Sequence, residues 1–349
     1  MSPKKVSSSE RVHSRQTDDP KAALTPLTAP AQPTPLARIP SPARFFLVVL
    51  SSLLVSSVLH SLTSDLTLND LGLVSKHLEE WWEVGVLVGW RAVEVGLAWA
   101  VGLDSWDAAS FLFLTHMPTY TLLSFFYGVR PTSVLTSYAI TIASTVIPFA
   151  LLRRPSSVHD LSHAPSGAVA NRTILQDHLT TIYTTLTATS IFSVMLYASY
   201  ATWLPVQLVM HFESIPDISA AHAGPAGLPT LFLTLIPVGY AVRDFLFVSS
   251  AGNSTSSTED EAKREERQGE VLFTAIYRKT WGQLSVKARI LASRTLLLAS
   301  VILLNTIVQV AGTIQSVSVE GAFVWGSVWA VATLAVGGVF AWVEAVDGV

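Results

Sequence analysis

The chain of 349 residues contains no cysteine and few charged side chains. Without cysteine, disulfides, thiolate metal ligands, a cysteine nucleophile and palmitoyl or prenyl anchors are excluded. Asp, Glu, Lys and Arg make up 13% of the residues, whereas about 25% is usual in soluble domains. Because a soluble fold of this size needs a charged surface, the composition favours a membrane protein.

The sequence also lacks the common signatures of nucleotide and hydrolase sites. It contains no GxxxxGK(S/T), HExxH, GxSxG or GxGxxG motif, so ATP hydrolysis, zincin chemistry and common serine-hydrolase chemistry have no support. The formal net charge of -3 gives no reason to expect nucleic acid as a partner. We expect no cofactor, and an enzymatic function is less favoured than a non-catalytic one.

Long apolar segments fill most of the remaining sequence. A helix needs about 20 apolar residues to cross the ~30 Å hydrocarbon layer of a bilayer, and eight segments approach or reach that length. The sequence therefore predicts an all-α, polytopic integral membrane bundle of about eight transmembrane helices within residues 44–349. The predicted spans are residues 45–62, 83–103, 108–127, 133–152, 179–200, 228–249, 290–310 and 321–343.

Two polar segments lie outside these spans. Residues 1–43 are rich in serine and then in proline, which predicts a disordered cytosolic tail. Residues 250–289 begin with Gly, Ser and Thr and then become highly charged, which predicts a solvated cytosolic loop.

The distribution of Lys and Arg predicts the orientation. If all eight segments span, seventeen of the 22 Lys and Arg residues lie on one side and only Lys76 and Arg130 lie on the other. Because positive residues stay preferentially in the cytosol, both termini are predicted to be cytosolic. The sequons at Asn171 and Asn253 then also face the cytosol, so glycosylation of either would contradict this orientation. The endoplasmic reticulum, plasma membrane and vacuole are not distinguished.

The second span carries two charges near its centre, Arg91 and Glu94. A central charge costs about 2.5–3.5 kcal/mol, and each good apolar residue returns about 0.3–0.6 kcal/mol, so insertion of this segment is marginal. Omitting it would move the downstream basic loops to the outside, and the charge bias therefore favours a span. Gly85, Gly89 and Gly96 form a small-residue stripe that suits a partner membrane helix.

Four polar side chains inside the spans are candidates for a functional site: Arg91, Glu94, His116 and Tyr120. Arg91 and Glu94 are three residues apart and can pair on one helix face. His116 and Tyr120 lie near Pro118 in the third span. A substrate or proton site is one interpretation, and a charge pair that fixes helix register is the other.

Two weaker patterns concern metal or phosphate binding. Asp104 and Asp107 could bridge Mg²⁺ to a diphosphate, although a short polar turn also explains them. His159 and His163 are four residues apart and would share a face on a helix, but the other histidines of the nine in the chain are scattered singly.

These patterns lead to three functional hypotheses. The first is a transporter-like protein for a small molecule or ion, based on Arg91, Glu94 and His116. The alternative is a non-catalytic membrane scaffold or complex subunit. The third is a membrane-embedded enzyme that acts on a lipid or isoprenoid through Asp104 and Asp107.

Overall fold

A computed structural model describes residues 40–161, 169, 171–213, 215–252 and 285–347 of the chain. These residues form helices and no β-strand. Most of the predicted tail at 1–43 and most of the predicted loop at 250–289, including Asn253, lie outside them, and α1 begins within the predicted tail, at Ser41. The helices are α1 (Ser41–Leu62), α2 (Ser64–Val74), α3 (Trp81–Ala100), α4 (Ser105–Phe125), α5 (Pro131–Leu152), α6 (Arg172–Gln176), α7 (His178–Ala201), α8 (Leu204–His211), α9 (Gly227–Val242), α10 (Val286–Thr313) and α11 (Val319–Asp347).

Helix α9 continues past Val242 without a break in the chain direction. A π-helical turn, Arg243–Val248, follows it and a last turn, Ser249–Ala251, ends the segment. With this extension, each of the eight predicted apolar segments coincides with one long helix. A π-turn widens the helix and re-aims its side chains, and here Arg243 and Phe245 are buried.

Six of the eight long helices are long and apolar enough to cross a membrane: Pro42–Leu62, Pro131–Leu152, His178–Ala201, Gly224–Ala251, Lys287–Thr313 and Val319–Ala345. The other two, α3 and α4, contain 20 and 21 residues, which at 1.5 Å per residue is about 30 Å. Helix α3 contains Glu83, Arg91 and Glu94 within that length. Membrane crossing by the eight helices stays a prediction, and α3 and α4 are not among the six that are long and apolar enough for it.

The segments that join the long helices lie at the two ends of the bundle, and at each end they contact one another. At one, which we call the α2 end, Ser75 pairs with Ile314 and Phe212 pairs with Val317 as isolated β-bridges. At the other, the α6 end, the Asn171 side chain donates to the carbonyl of Ala251 over 3.4 Å. Consecutive long helices thus alternate in direction, as an up-and-down membrane bundle requires.

Two short helices lie at the α2 end. Helix α2 is bound to the start of α5, because Asp70 accepts hydrogen bonds from Arg130 and from the Ser133 hydroxyl (2.5 and 2.6 Å). Helix α8 exposes Val206 and Met210, which is typical of a helix lying in a membrane interface.

Aromatic rings fill the core between α4, α7 and α11. Trp325 is fully buried, stacks parallel to Tyr200 at 6.5 Å, and meets Phe126 edge to face at 5.8 Å. Its indole N–H donates to the carbonyl of Pro118 over 2.9 Å, so its polar group is satisfied. Such rings fix the helix positions because each buries a large area in one geometry.

Two adjacent glycines of α11 give a matched test of the α10–α11 packing. A methyl group at Gly337 would lie 2.3 Å from Cγ2 of Thr295, whereas one at Gly338 would meet nothing within 4 Å. Gly337→Ala is therefore expected to destabilise the protein by about 1–3 kcal/mol. Gly338→Ala is expected to leave stability unchanged or slightly higher. Equal melting temperatures of the two variants in detergent would contradict this packing.

Candidate functional site

A charged pair lies in the second half of α3, where the helix is buried. The Arg91 Nη1 donates to Glu94 Oε2 over 2.6 Å, and the two side chains are 13% and 0% exposed. The helix brings them together because residues three apart lie on one face. This is the pair that the sequence places in the bilayer.

Helix α4 completes the surroundings of the Glu94 carboxylate. His116 Nε2 lies 2.9 Å from Oε1 and 3.1 Å from Oε2, and the Thr115 hydroxyl donates to Oε1 over 3.1 Å. A carboxylate accepts only, so the His116 Nε2 must carry a proton to bond to it. Arg91, His116 and Thr115 together satisfy both oxygens.

Arg91 also binds α5 through its second nitrogen. Nη2 donates to the carbonyl of Thr141 over 2.7 Å and to the Thr145 hydroxyl over 2.8 Å. The Thr145 hydroxyl in turn lies 3.1 Å from the Ser52 hydroxyl of α1. One guanidinium therefore connects α3 and α5 directly, α4 through the Glu94 carboxylate, and α1 through the Thr145 hydroxyl.

Asn305 adds α10 to the same network. Its Oδ1 accepts the Trp90 indole N–H over 2.8 Å, and its Nδ2 donates to the carbonyl of Thr115 over 2.9 Å. Asn305 is fully buried. Asn305 was not among the predicted site residues, because a lone amide in an apolar helix has many explanations.

Tyr120 lies one helical turn beyond His116, with its ring centroid 6.4 Å from that of His116. Its hydroxyl lies 3.0 Å from the Thr141 hydroxyl, and its ring packs 4.6 Å from that of Tyr138. All four predicted buried polar residues, Arg91, Glu94, His116 and Tyr120, are thus within one hydrogen-bonded group, which we call the Glu94 cluster.

A polar cavity leads from the α2 end toward this cluster. Its volume is about 160 Å³, and His116, Tyr120 and Gln309 line it, whereas Arg91 and Glu94 do not. Thr119 and Ser137 line it too, and their buried hydroxyls have no hydrogen-bond partner among the described residues. The cavity is large enough for several water molecules, and His116, which lines it, also contacts Glu94.

A second polar cluster lies at the α6 end, around the start of α4. Asp104 caps α4, since its Oδ1 accepts the Asp107 N–H over 2.8 Å. Its Oδ2 accepts the Ser156 N–H and His159 Nδ1, both at 2.8 Å. His159 Nε2 lies 3.8 Å from Oδ1 of Asp244.

Asp107 forms a two-pronged ion pair with Arg294 of α10. Nη1 and Nη2 of Arg294 each lie 2.9 Å from one Asp107 oxygen. The Ser249 hydroxyl donates to Asp107 Oδ1 over 3.1 Å, and Arg294 also lies over the Phe245 ring at 4.9 Å. The sequence did not reveal this pair, because 187 residues separate its members.

The same cluster allows a test of the metal hypothesis. Ligand atoms of Asp104, Asp107 and His159 lie within 4.8 Å of one another, which is a distance at which a cation can bridge them. Both Asp107 oxygens, however, already bind Arg294, and a cation would have to compete with that guanidinium. The donor set fits an ion-pair network better than a metal. His159 lies in a turn and His163 lies outside the described residues, so the structure does not test whether these two histidines form a pair.

His159→Gln is expected to lower the melting temperature more at pH 6 than at pH 8. Burial lowers the pKa of His159, but the hydrogen bond and charge of Asp104 outweigh it and raise the pKa above 6.5. This stabilisation is complete below pH 6.5 and is lost as the pH rises through the folded-state pKa. Burial raises the pKa of Asp104, but hydrogen bonds led by His159 lower it to about 2, so Asp104 stays charged throughout. An equal lowering of the melting temperature by His159→Gln at pH 6 and pH 8 would contradict the stabilising pairing of His159 with Asp104.

The glycine stripe on α3 is divided between two environments. A methyl group at Gly96 would lie 3.3 Å from the Phe45 ring of α1, whereas Gly85 and Gly89 have nothing within 4 Å of such a group. The Gly96 part of the predicted partner surface is therefore packed inside the bundle, and the Gly85–Gly89 part is open.

Comparison with known proteins gives one match. A family model described as the Bouquet formation protein 3 C-terminal domain matches residues 177–308. This part of the chain resembles that domain. The match begins at the Asp177 cap of α7, ends within α10, and covers well under half of the 349 residues. It includes Arg294 and Asn305 but not Arg91, Glu94, Asp104 or Asp107. No curated protein and no solved structure matches the chain.

Proposed function

We propose that this chain is a non-catalytic membrane scaffold that contributes to bouquet formation. The match of residues 177–308 to the bouquet formation domain is the observation that carries the proposal. The matched residues form α7, α8, α9 and most of α10, which include three of the eight long helices. A role in assembly needs a stable, defined surface rather than a reactive centre.

The polar clusters support a non-catalytic role. Both oxygens of Glu94 and both oxygens of Asp107 are bound by protein donors. Asp104, the other carboxylate of the enzyme hypothesis, accepts three hydrogen bonds from the chain. A Mg²⁺–diphosphate site requires free carboxylate oxygens, so this arrangement favours charge pairs that hold helices in register.

In this proposal all eight long helices span the bilayer, and both termini and the α6 end face the cytosolic or nucleoplasmic side. The distribution of Lys and Arg supports this orientation. The bouquet formation domain that residues 177–308 resemble relates to the nuclear envelope. We therefore place the chain in that membrane, with lipid and a partner membrane helix on the open Gly85–Gly89 surface as its contacts.

Removal of the chain from cells that form a bouquet tests this function. We expect bouquet formation to fail or to be delayed, and a tagged wild-type chain to restore it and to mark the nuclear rim. A matched variant, Gly85→Leu, leaves the interior untouched and is expected to reduce rescue at normal abundance if a partner helix binds there. Normal bouquets without the chain would contradict the proposal.

The cavity that reaches His116 favours a second candidate function, ion or proton passage. Its test is a pH-sensitive dye inside proteoliposomes that contain the purified chain. Passage through the cavity predicts a flux that His116→Phe abolishes and that the distant variant Gly338→Ala leaves unchanged. The scaffold proposal predicts no flux above that of empty liposomes.

A further inference from the structure

Arg243 is a buried cation that has no counter-ion among the described residues. It is 6% exposed, and its guanidinium has one hydrogen-bond partner there, the Thr181 hydroxyl of α7, which accepts from Nη2 over 3.0 Å. The carboxylate of the neighbouring Asp244 accepts from the Ser110 hydroxyl over 2.9 Å and faces His159 instead. A buried charge with a single neutral partner is costly, so this guanidinium calls for an anion.

The other arginines packed within the bundle have their donors satisfied. Arg91 and Arg294 each pair with a buried carboxylate. Arg153 donates to two main-chain carbonyls over 2.6 and 3.1 Å. Arg243 therefore differs from them, because it keeps N–H groups that the described part of the chain does not use.

Nη1 is the nitrogen of Arg243 that a ligand can reach. Nη2 binds Thr181, and Nε is enclosed without a partner. Nη1 has no hydrogen-bond partner among the described residues and is not one of their enclosed polar atoms, so the exposed part of the residue includes it. With two N–H groups on Nη1 and a second one on Nη2, the guanidinium can donate to two oxygens of one phosphate.

The packing of α7 on α9 places this guanidinium near the α6 end. Thr181 is the fourth residue of α7, about 5 Å from the start of that helix. A methyl group at Gly239 would lie 2.6 Å from a main-chain oxygen of α7, and Arg243 follows one turn closer to the α6 end. Tyr183 and Tyr240 are exposed near this level, which is typical of tyrosines at a membrane interface.

We propose that Arg243 binds the phosphate of an anionic phospholipid from the leaflet at the α6 end. A net negative headgroup matches one uncompensated positive charge, whereas a zwitterionic headgroup brings a cation that would need a partner of its own. Free inorganic phosphate offers the same oxygens but no acyl chains to cover Leu179 and Ile182, which are exposed on α7. The inference goes beyond the scaffold role and requires only that the bundle lies in a membrane, as proposed above.

The test is a titration of the purified full chain in dodecyl maltoside with dioleoyl phosphatidic acid. We expect a saturable rise in melting temperature and one bound lipid by native mass spectrometry. Arg243→Gln is expected to weaken this binding about tenfold or more, because charge-assisted hydrogen bonds are lost. Without lipid its melting temperature is expected to equal or exceed that of wild type, since an uncompensated charge is removed.

The matched control is Arg154→Gln, which removes an exposed cation at the same end and is expected to leave lipid binding unchanged. Arg243→Lys keeps the charge but not the forked geometry, and its expected threefold or greater weakening keeps the test decisive if Arg243→Gln does not fold. An equal rise in melting temperature with phosphatidylcholine, or with inorganic phosphate alone, would overturn the assignment to an anionic lipid. Wild-type affinity in both Arg243 variants would overturn the site.

Discussion

Glu94→Leu is expected to lower the free energy of unfolding by roughly 3–5 kcal/mol, the usual cost of leaving one buried charge without its partner. Arg91 would keep its charge, because a guanidinium does not lose its proton in proteins. It is only 13% exposed, and its remaining partners, Thr141, Ser144 and Thr145, are neutral. Chemical denaturation of the purified chain in detergent measures the change.

The matched control is the double variant Arg91→Leu/Glu94→Leu. Replacing both members of a buried pair with apolar residues is often neutral or stabilising, and so we expect the double variant to recover most of the lost stability. Two results would contradict this interpretation of the Glu94 cluster: a Glu94→Leu protein as stable as wild type, or a double variant as unstable as the single one.

Asp107→Ala is expected to cost about 3 kcal/mol, at the lower end of the range for a broken buried pair. The reason for the smaller value is that Arg294 is 19% exposed and keeps the Phe245 carbonyl and the Ser249 hydroxyl as acceptors. Arg294→Lys keeps the charge but loses the two-pronged geometry. We expect it to lower the free energy of unfolding by less than Asp107→Ala does.

An exposed ion pair supplies the comparison for Asp107→Ala. Lys76 is 41% exposed and lies 2.8 Å from Glu83, and exposed pairs contribute about 0–1 kcal/mol. Lys76→Ala is therefore expected to change stability little in the same denaturation experiment. If Asp107→Ala and Lys76→Ala were equally mild, the α6-end cluster would not be what holds α4 to α10.

The order of the long helices could be predicted from the sequence, because each is an apolar segment bounded by polar or proline-containing segments. The Arg91–Glu94 contact could also be predicted from local sequence, since side chains three residues apart on a helix lie on the same face. Six of the helices meet the length and apolarity needed to span a membrane.

Contacts between helices far apart in the chain could not be predicted from the sequence. Nothing local in the sequence pairs Asp107 with Arg294 or Asn305 with Thr115, because those distances depend on how helices far apart in the chain pack. Helix α2 was not predicted, since it lies between the predicted spans 45–62 and 83–103. In the structure Asp70 has a partner in Arg130, and that tertiary contact supports the helix.

We propose that the Glu94 cluster is a satisfied buried charge pair that neither conducts ions nor binds a substrate. The most direct test of this proposal is complementation by the Arg91→Leu/Glu94→Leu chain, at wild-type abundance, in cells that lack their own copy. The scaffold account predicts normal bouquet formation, because the bundle stays folded without the charges. Loss of bouquet formation by a folded and normally abundant double variant would contradict it and would support a functional role of the charges themselves.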